Sequence, residues 1–319
     1  MSLPTALPLE PNPERLRNPL LRYAFATRPA FLTITLAGCL LGFATAVDDG
    51  VAFNPNTAAA TLLLALLVHA GVNVLNDYYD YLNGTDAANL ERIFPYTGGS
   101  RFIQNGVFTP RQTLAFGLTL FALVVAGGLW LIAQSGQGLF WIGLSGLFIG
   151  WAYSAPPFKL NAHGLGELCV AAGFLLIVAG ADYVQRESLS ALPWIAGLPY
   201  ALLTTNVLFI NQFPDREADA LAGKRHWVVR LAPGQAARLY ALIALAAAVA
   251  LAAEVASGTL PPLALLSLAA MLPSLGAARQ LMQNCRQPRL LVPAIRLTLL
   301  SAHSHAIMLA LILMTESWK

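Results

Sequence analysis

Apolar stretches dominate this chain, and its polar positions are gathered between them. Runs of about 20 apolar residues, enough for a helix to cross a bilayer, occur near 29–47, 57–76, 112–133, 138–154, 165–181, 191–211, 235–254, 259–278 and 294–314. The pattern predicts an all-α, multi-pass membrane helical bundle of about nine transmembrane helices. No stretch rich in Ser, Gly or Pro divides it, so 29–319 reads as one integral membrane domain and 1–28 as a Pro- and Arg-rich lead-in. The polar connections are short except after the second and sixth spans, where two Asp-rich loops lie at 76–111 and 211–234.

Charge placement orients this pattern. Of the 19 Lys and Arg, all but Arg186 and Lys319 fall before the first span or after the second, fourth, sixth and eighth. Short cytoplasmic loops collect basic residues, so the N-terminus and both Asp-rich loops are expected on the cytoplasmic side and the C-terminus outside. The chain is 57% hydrophobic and 11% charged, against roughly 25% charged in soluble domains. Its net charge of +3 describes a basic rim facing anionic lipid, with no further basic cluster of the kind nucleic acid requires. Cys39, Cys169 and Cys285 are widely spaced, without a C-x-x-C or Cys/His pattern, so neither a disulfide nor zinc is expected. Leu36-Ala37-Gly38-Cys39 has the look of a lipoprotein cleavage box, but the apolar run continues to Val47, so the first span is expected to be retained.

The two loops echo one another. Asn76 and Asp80 end the second span and Asn211 and Asp215 the sixth, each pair followed by a further Asp (Asp86, Asp219) and a Gly (Gly84, Gly223). This is the pattern of a parallel internal repeat, which places a site between the halves. In NDYYDYLNGTD (76–86), Asn76 and Asp80 share a helix face, with Asp77 one turn from Asp80. Like charges so spaced repel, so a cation is expected; Mg²⁺ suits, because it takes carboxylate oxygens jointly with phosphate and water. In DREADALAGKR (215–225), Pro214 is expected to start a fresh short helix, with Asp215 and Asp219 on one face and Lys224 and Arg225 as phosphate donors. Arg101 in TGGSR, and Tyr153 and Lys159 in YSAPPFKL, fall on the same side; Gly98-Gly99 would let backbone approach a ligand.

Simpler explanations stand beside these. Acidic residues near helix starts also complement the helix dipole, though two such clusters argue for chemistry. Arg28, Arg111, Arg279, Arg286, Arg289 and Arg296 read as topology determinants. His69, His303 and His305 read as packing residues, Tyr78, Tyr79 and Tyr81 suit an interfacial belt, and Glu167 could cap the fifth span.

The motifs resemble those of the UbiA superfamily of intramembrane aromatic prenyltransferases, N-D-x-x-D-x-x-x-D after the second helix and D-x-x-x-D after the sixth. The resemblance runs from Arg28-Pro29 to at least Arg230. It departs at position 84, a Gly where the family's third Asp falls, with Asp86 two residues later. That ending, with TGGSR and Gly166-Glu167, is similar to the menaquinone branch, the 1,4-dihydroxy-2-naphthoate prenyltransferases. The resemblance implies Mg²⁺ held by Asn76, Asp77, Asp80 and Asp86 and a second by Asp215 and Asp219. It also implies a polyprenyl diphosphate donor gripped by Arg101, Tyr153, Lys159, Lys224 and Arg225, with Asn76 and Asn211 in the substrate site. Asp77, Asp80, Asp215 and Asp219 would then be the catalytic set. An aromatic acceptor, a cavity open sideways to lipid and a bacterial inner membrane location, with the site on the cytoplasmic side, are implied with them. A 4-hydroxybenzoate polyprenyltransferase is the alternative within the class. A membrane transporter is the alternative outside it, although transporter sites lie near the midplane; a structural scaffold leaves the acidic residues unexplained.

Overall fold

A computed structural model describes residues 9–316; Lys319 and residues 1–8 of the lead-in lie outside them. The described residues form twelve α-helices: α1 (Pro19–Ala26), α2 (Pro29–Asp48), α3 (Pro55–Asn83), α4 (Thr85–Ala88), α5 (Pro110–Ser135), α6 (Gly138–Ser154), α7 (Gly166–Arg186), α8 (Leu192–Leu221), α9 (Trp227–Arg230), α10 (Pro233–Ala256), α11 (Ser267–Asn284) and α12 (Val292–Glu316). Among the described residues, eight helical segments are long and apolar enough to cross a membrane, α11 being counted from Pro262. The ninth expected span is α6, apolar but only 17 residues long.

Local chemistry explains where these helices begin. Proline opens α2, α3, α5 and α10, at the position where a missing N–H costs no hydrogen bond. Asn54 caps α3 through its side chain, and Thr109 with Gln112 forms a reciprocal capping box on α5. Gly84, at φ 81°, ends α3 in the left-handed conformation that glycine adopts without strain.

Two expectations about the ends of the motif helices are corrected. The residues from Asn76 to Asn83 are helix, not loop: α3 runs seven residues beyond the predicted span end at 76. Likewise Pro214 does not start a new helix, because α8 continues through it to Leu221 with Pro199 also in its interior. Phe209, Ile210 and Phe213 are buried in one apolar cluster with Tyr240, Leu281 and Ile295, and this packing carries the helix across the bond that proline deletes, as membrane helices allow.

Helix α3 lies along α5, α7 along α8, and α2 between α7 and α12, while α10 and α11 close the far side against α8 and α12. Outward-facing Leu118, Leu123, Leu129, Trp130, Leu242, Leu245 and Leu311 form an apolar surface that lipid accepts and water does not. Inside, a cavity of about 560 Å³ runs from Asp80 and Asp219 to Leu131, Leu139 and Val184. These residues belong to opposite ends of α7 and its neighbours, so the cavity spans most of the bundle's height.

Candidate active site

The ends of α3 and α8 meet. Lys224 Nζ lies 2.8 Å from Asp80 Oδ1 and 2.9 Å from Asp219 Oδ1, so a single ammonium joins the two motifs. Both carboxylates and the lysine are buried. The repulsion that the sequence demanded be neutralised is thus partly met by a side chain. Burial alone would lower the Lys224 ammonium, but Asp80 and Asp219 outweigh it and hold the group above its ordinary value.

The first motif is held from the loop between α4 and α5. Asp77 accepts the Ser100 N–H at 3.2 and 3.3 Å from its two oxygens. Asp86 accepts from Gln104 Nε2 at 3.3 Å, and its carbonyl accepts from the Arg101 guanidinium. Gly99, at φ 73°, passes so close that a Cβ there would stand 2.5 Å from Asp86 Oδ2 and 3.0 Å from Asp77 Oδ1. The glycine pair serves close backbone approach as expected, but here to the chain's own carboxylates. Asn76 donates to Asp80 at 3.2 Å and to Ser154 Oγ at 3.0 Å. Burial first, then the charges of Asp80, Asp77 and Asp215, hold the Asp86 carboxyl well above the usual carboxylate range, with Lys224 opposing them.

The second motif is held mostly by side chains, with one backbone donor. Asn89 donates to Asp215, whose other oxygen accepts the Gly98 N–H at 3.4 Å. His226 Nε2 lies 3.0 Å from Asp219 Oδ2. Between Gly223 and α9 the chain has no regular structure and burial alternates: Lys224 and His226 are buried and Arg225 is exposed.

Not every expected phosphate donor reaches the cavity. Asn76, Asp80, Asp86, Tyr153, Asn211, Asp215, Asp219 and Lys224 line it, whereas Asp77 is buried behind them on Ser100. Arg101 is buried but turned into the loop, on the Asp86 carbonyl and 3.9 Å from Glu10. Lys159 is exposed in a left-handed turn at φ 43°, and Arg225 uses its backbone N–H on the Ala162 carbonyl at 2.7 Å. Neither lines the cavity. Conversely, two residues assigned to topology and packing do line it. Arg28 faces the cavity with its guanidinium 4.9 Å from the Phe31 ring, and His69 does so with Nδ1 2.7 Å from Thr35 Oγ1. Only their register, three residues from Phe31 and seven from Asn76, hinted at a shared lining face. Glu167 does not cap α7; both its oxygens are buried without a hydrogen-bond partner.

Among the described residues no group of three or more His, Cys, Asp or Glu side chains is gathered tightly enough to hold a metal alone. The donor set still suits a hard cation. Asp77, Asp80, Asp86, Asp215 and Asp219 are all oxygen donors at one end of the bundle, Lys224 is the cation set between two of them, and Asn211 Oδ1 is buried with no partner. A shell completed by phosphate oxygens and water is what Mg²⁺ ordinarily takes.

Known proteins show the same architecture. The model of the UbiA prenyltransferase family matches residues 32–302. The chain is 29% identical over 212 residues to the 2-carboxy-1,4-naphthoquinone phytyltransferase of Synechocystis sp., covering 65% of this chain and 64% of that protein. It is 30% identical over 232 residues to the 1,4-dihydroxy-2-naphthoate octaprenyltransferase of Escherichia coli, covering 70% of this chain and 73% of that one. The chain thus spans just under two thirds of the Synechocystis relative's length. A solved structure of a UbiA homolog from Archaeoglobus fulgidus bound to DMAPP and Mg2+ superposes with a TM-score of 0.60 at 16% identity, over 90% of this chain and 99% of that one.

Proposed function

The chain belongs to the UbiA prenyltransferase family, and from that premise we propose that it transfers a polyprenyl group from its diphosphate to an aromatic acceptor, 1,4-dihydroxy-2-naphthoate. One observation carries the reading: Lys224 joins Asp80 to Asp219, so both acidic motifs and a buried cation converge at the mouth of an apolar cavity. The acids sit in the last two turns of α3 and α8 and in α4 rather than at mid-membrane, which favours chemistry on a headgroup over transport. The names of the Synechocystis and Escherichia coli relatives support the naphthoate as acceptor. The distribution of Lys and Arg supports a cytoplasmic mouth, and the bacterial relatives support a bacterial inner membrane.

Asn76, Asp80 and Asp86 on one side, with Asp77 behind them, and Asp215 and Asp219 on the other, would hold Mg²⁺. When bound, Mg²⁺ supplies positive charge to the departing diphosphate. Lys224 adds a fixed ammonium, placed before reaction and shielded from water, where it stabilises developing negative charge most. Tyr153 offers a hydroxyl in the same lining. The bond between donor C1 and oxygen breaks with its electron pair on the diphosphate. The acceptor ring carbon bonds to C1, and the ring's carboxylate departs as carbon dioxide. Val68, Val72, Leu147, Val170 and Phe174 line the cavity beyond the acids and keep water from the allylic cation.

The test is prenyl transfer by the purified protein in detergent, with Mg²⁺ and a polyprenyl diphosphate, offering the naphthoate and 4-hydroxybenzoate separately. An EDTA-sensitive product from the naphthoate alone is expected. Product from 4-hydroxybenzoate alone moves the enzyme to that acceptor, and no product from either contradicts the reading.

A further inference from the structure

The segment ahead of the membrane domain had no role in the sequence, yet Glu10 in it gathers three residues of the loop that wraps the first motif. Its Oε1 lies 2.7 Å from Arg92 Nε, its Oε2 accepts from Asn105 Nδ2 at 3.1 Å, and Arg101 Nε stands 3.9 Å from Oε2. Asn105 also donates to the Pro11 carbonyl at 3.0 Å, Pro11 is buried, and Leu16 packs on the cluster of Ala26, Phe102, Val107 and Phe108. The lead-in is therefore fastened across the loop by polar and apolar contacts together.

Both arginines that Glu10 holds lead to acids of the site. Arg92 donates to the Asn89 carbonyl at 2.7 Å, and Asn89 in turn donates to Asp215. Arg92 also lies flat on Gly98: a Cβ there would stand 2.6 Å from Arg92 Cβ, and the Gly98 N–H is the one that Asp215 accepts. Arg101 sits in the left-handed region at φ 65°, unfavourable for a side chain of its size. It is kept there by Asp86 and Glu10, next to Ser100, whose N–H Asp77 accepts. Without an anion opposite, Arg92 and Arg101 would be two unneutralised like charges in a loop whose other ties are the acids, the Arg28 bond to the Tyr96 carbonyl and the burial of Ile93 in the core. Burial raises the Glu10 carboxyl, but bonds from Arg92 and Asn105 and the charges of both arginines hold it below the usual carboxylate range.

We propose that Glu10 is a positioning residue: a latch from the N-terminal lead-in that fixes the 89–105 loop, and through it Asp77, Asp86 and Asp215, in the geometry that receives the diphosphate. It acts through the loop and touches no reacting atom. The effect on donor binding rests on the prenyltransferase reading, whereas the latch itself does not.

The test uses the full-length protein, Glu10→Gln and Glu10→Ala, with Glu14→Ala as the control because Glu14 is exposed. Hydrogen exchange is read on peptides covering 96–105, which contain the Gly98 and Ser100 amides. Losing charge-assisted hydrogen bonds predicts exchange about tenfold faster there in Glu10→Ala and less in Glu10→Gln, with α5 unchanged. With Mg²⁺ and donor present, the KM for polyprenyl diphosphate is expected to rise about fivefold in Glu10→Ala while kcat stays within a factor of about two. Glu14→Ala changes neither. Unchanged exchange at 96–105, or faster exchange with an unchanged donor KM, overturns the proposal. The exchange arm needs no turnover, so failure of the prenyltransferase reading and failure of the latch are told apart.

Discussion

The two acidic motifs share a spacing but not a way of being held. Around the first, the chain's own backbone does the holding: Ser100 donates to Asp77, and Gly99 threads between Asp77 and Asp86. Around the second, side chains do most of it, with Asn89 on Asp215, Lys224 and His226 on Asp219, and only the Gly98 N–H from the backbone. In the first motif, Lys224 on Asp80 and Gln104 on Asp86 add to the backbone contacts. An internal repeat thus reproduces the placement of the acids and leaves their partners free to differ. The first motif's geometry leans on the glycine-rich loop and the second's mainly on Asn89, Lys224 and His226, so the two halves should fail differently under mutation.

The largest effect is expected where the halves touch. Lys224→Met keeps the length and removes the ammonium, leaving Asp80 and Asp219 facing each other. By analogy with the loss of one preorganised donor, the rate of prenyl transfer should fall about 10² to 10³-fold. Removing one partner of a buried pair costs about 3–5 kcal/mol, so the melting temperature in EDTA should drop as well, and saturating Mg²⁺ should restore part of it. A melting temperature that rises, with activity kept, would show that the bridge is incidental.

Glycine substitutions separate the halves next. Gly99→Ala combines φ 73° with a Cβ pressed on Asp86 and Asp77, whereas Gly223, at φ 79°, has nothing within 4 Å of its Cβ position. Left-handed backbone alone costs an alanine about 1–2 kcal/mol. Gly223→Ala should stop there in a denaturation experiment, and Gly99→Ala should cost more and also weaken Mg²⁺-dependent donor binding. Equal costs would mean that the loop simply moves aside.

How much of this was legible in the sequence can be traced residue by residue. The apolar runs located the long helices, and the i, i+4 spacing put Asp215 with Asp219 on one face, because period and face follow from helix geometry alone. Pro214 was misjudged because its local preference for a first turn lost to the packing of Phe209 and Phe213. Arg225 and Lys224 were read alike, since nothing in KR says that one is buried and its neighbour exposed. Arg101 was assigned to phosphate on its charge, yet tertiary contacts commit it to Asp86 and Glu10. Arg28 was read as a topology determinant and His69 as a packing residue, because a lone side chain carries no signal of what lies across from it.

Smaller effects follow from these placements. His226→Ala removes one partner of Asp219 while Lys224 remains, so a loss of about tenfold in prenyl transfer is expected, without the change in loop exchange that a first-motif variant gives. Arg225→Ala and Lys159→Ala remove exposed side chains outside the cavity lining and should leave kcat/KM within about twofold, as surface substitutions usually do. A large loss in either would mean that the phosphate donors reorganise when substrate binds.

The claim that the two motifs make one site is tested most directly by a double-mutant cycle on prenyl transfer, with Asp80→Asn, Asp219→Asn and the double variant. If Lys224 and the donor diphosphate unite the two acids, the double variant should be little worse than the poorer single, because residues that act as a unit are strongly non-additive. Losses that multiply across the two substitutions would show two independent sites and contradict the account.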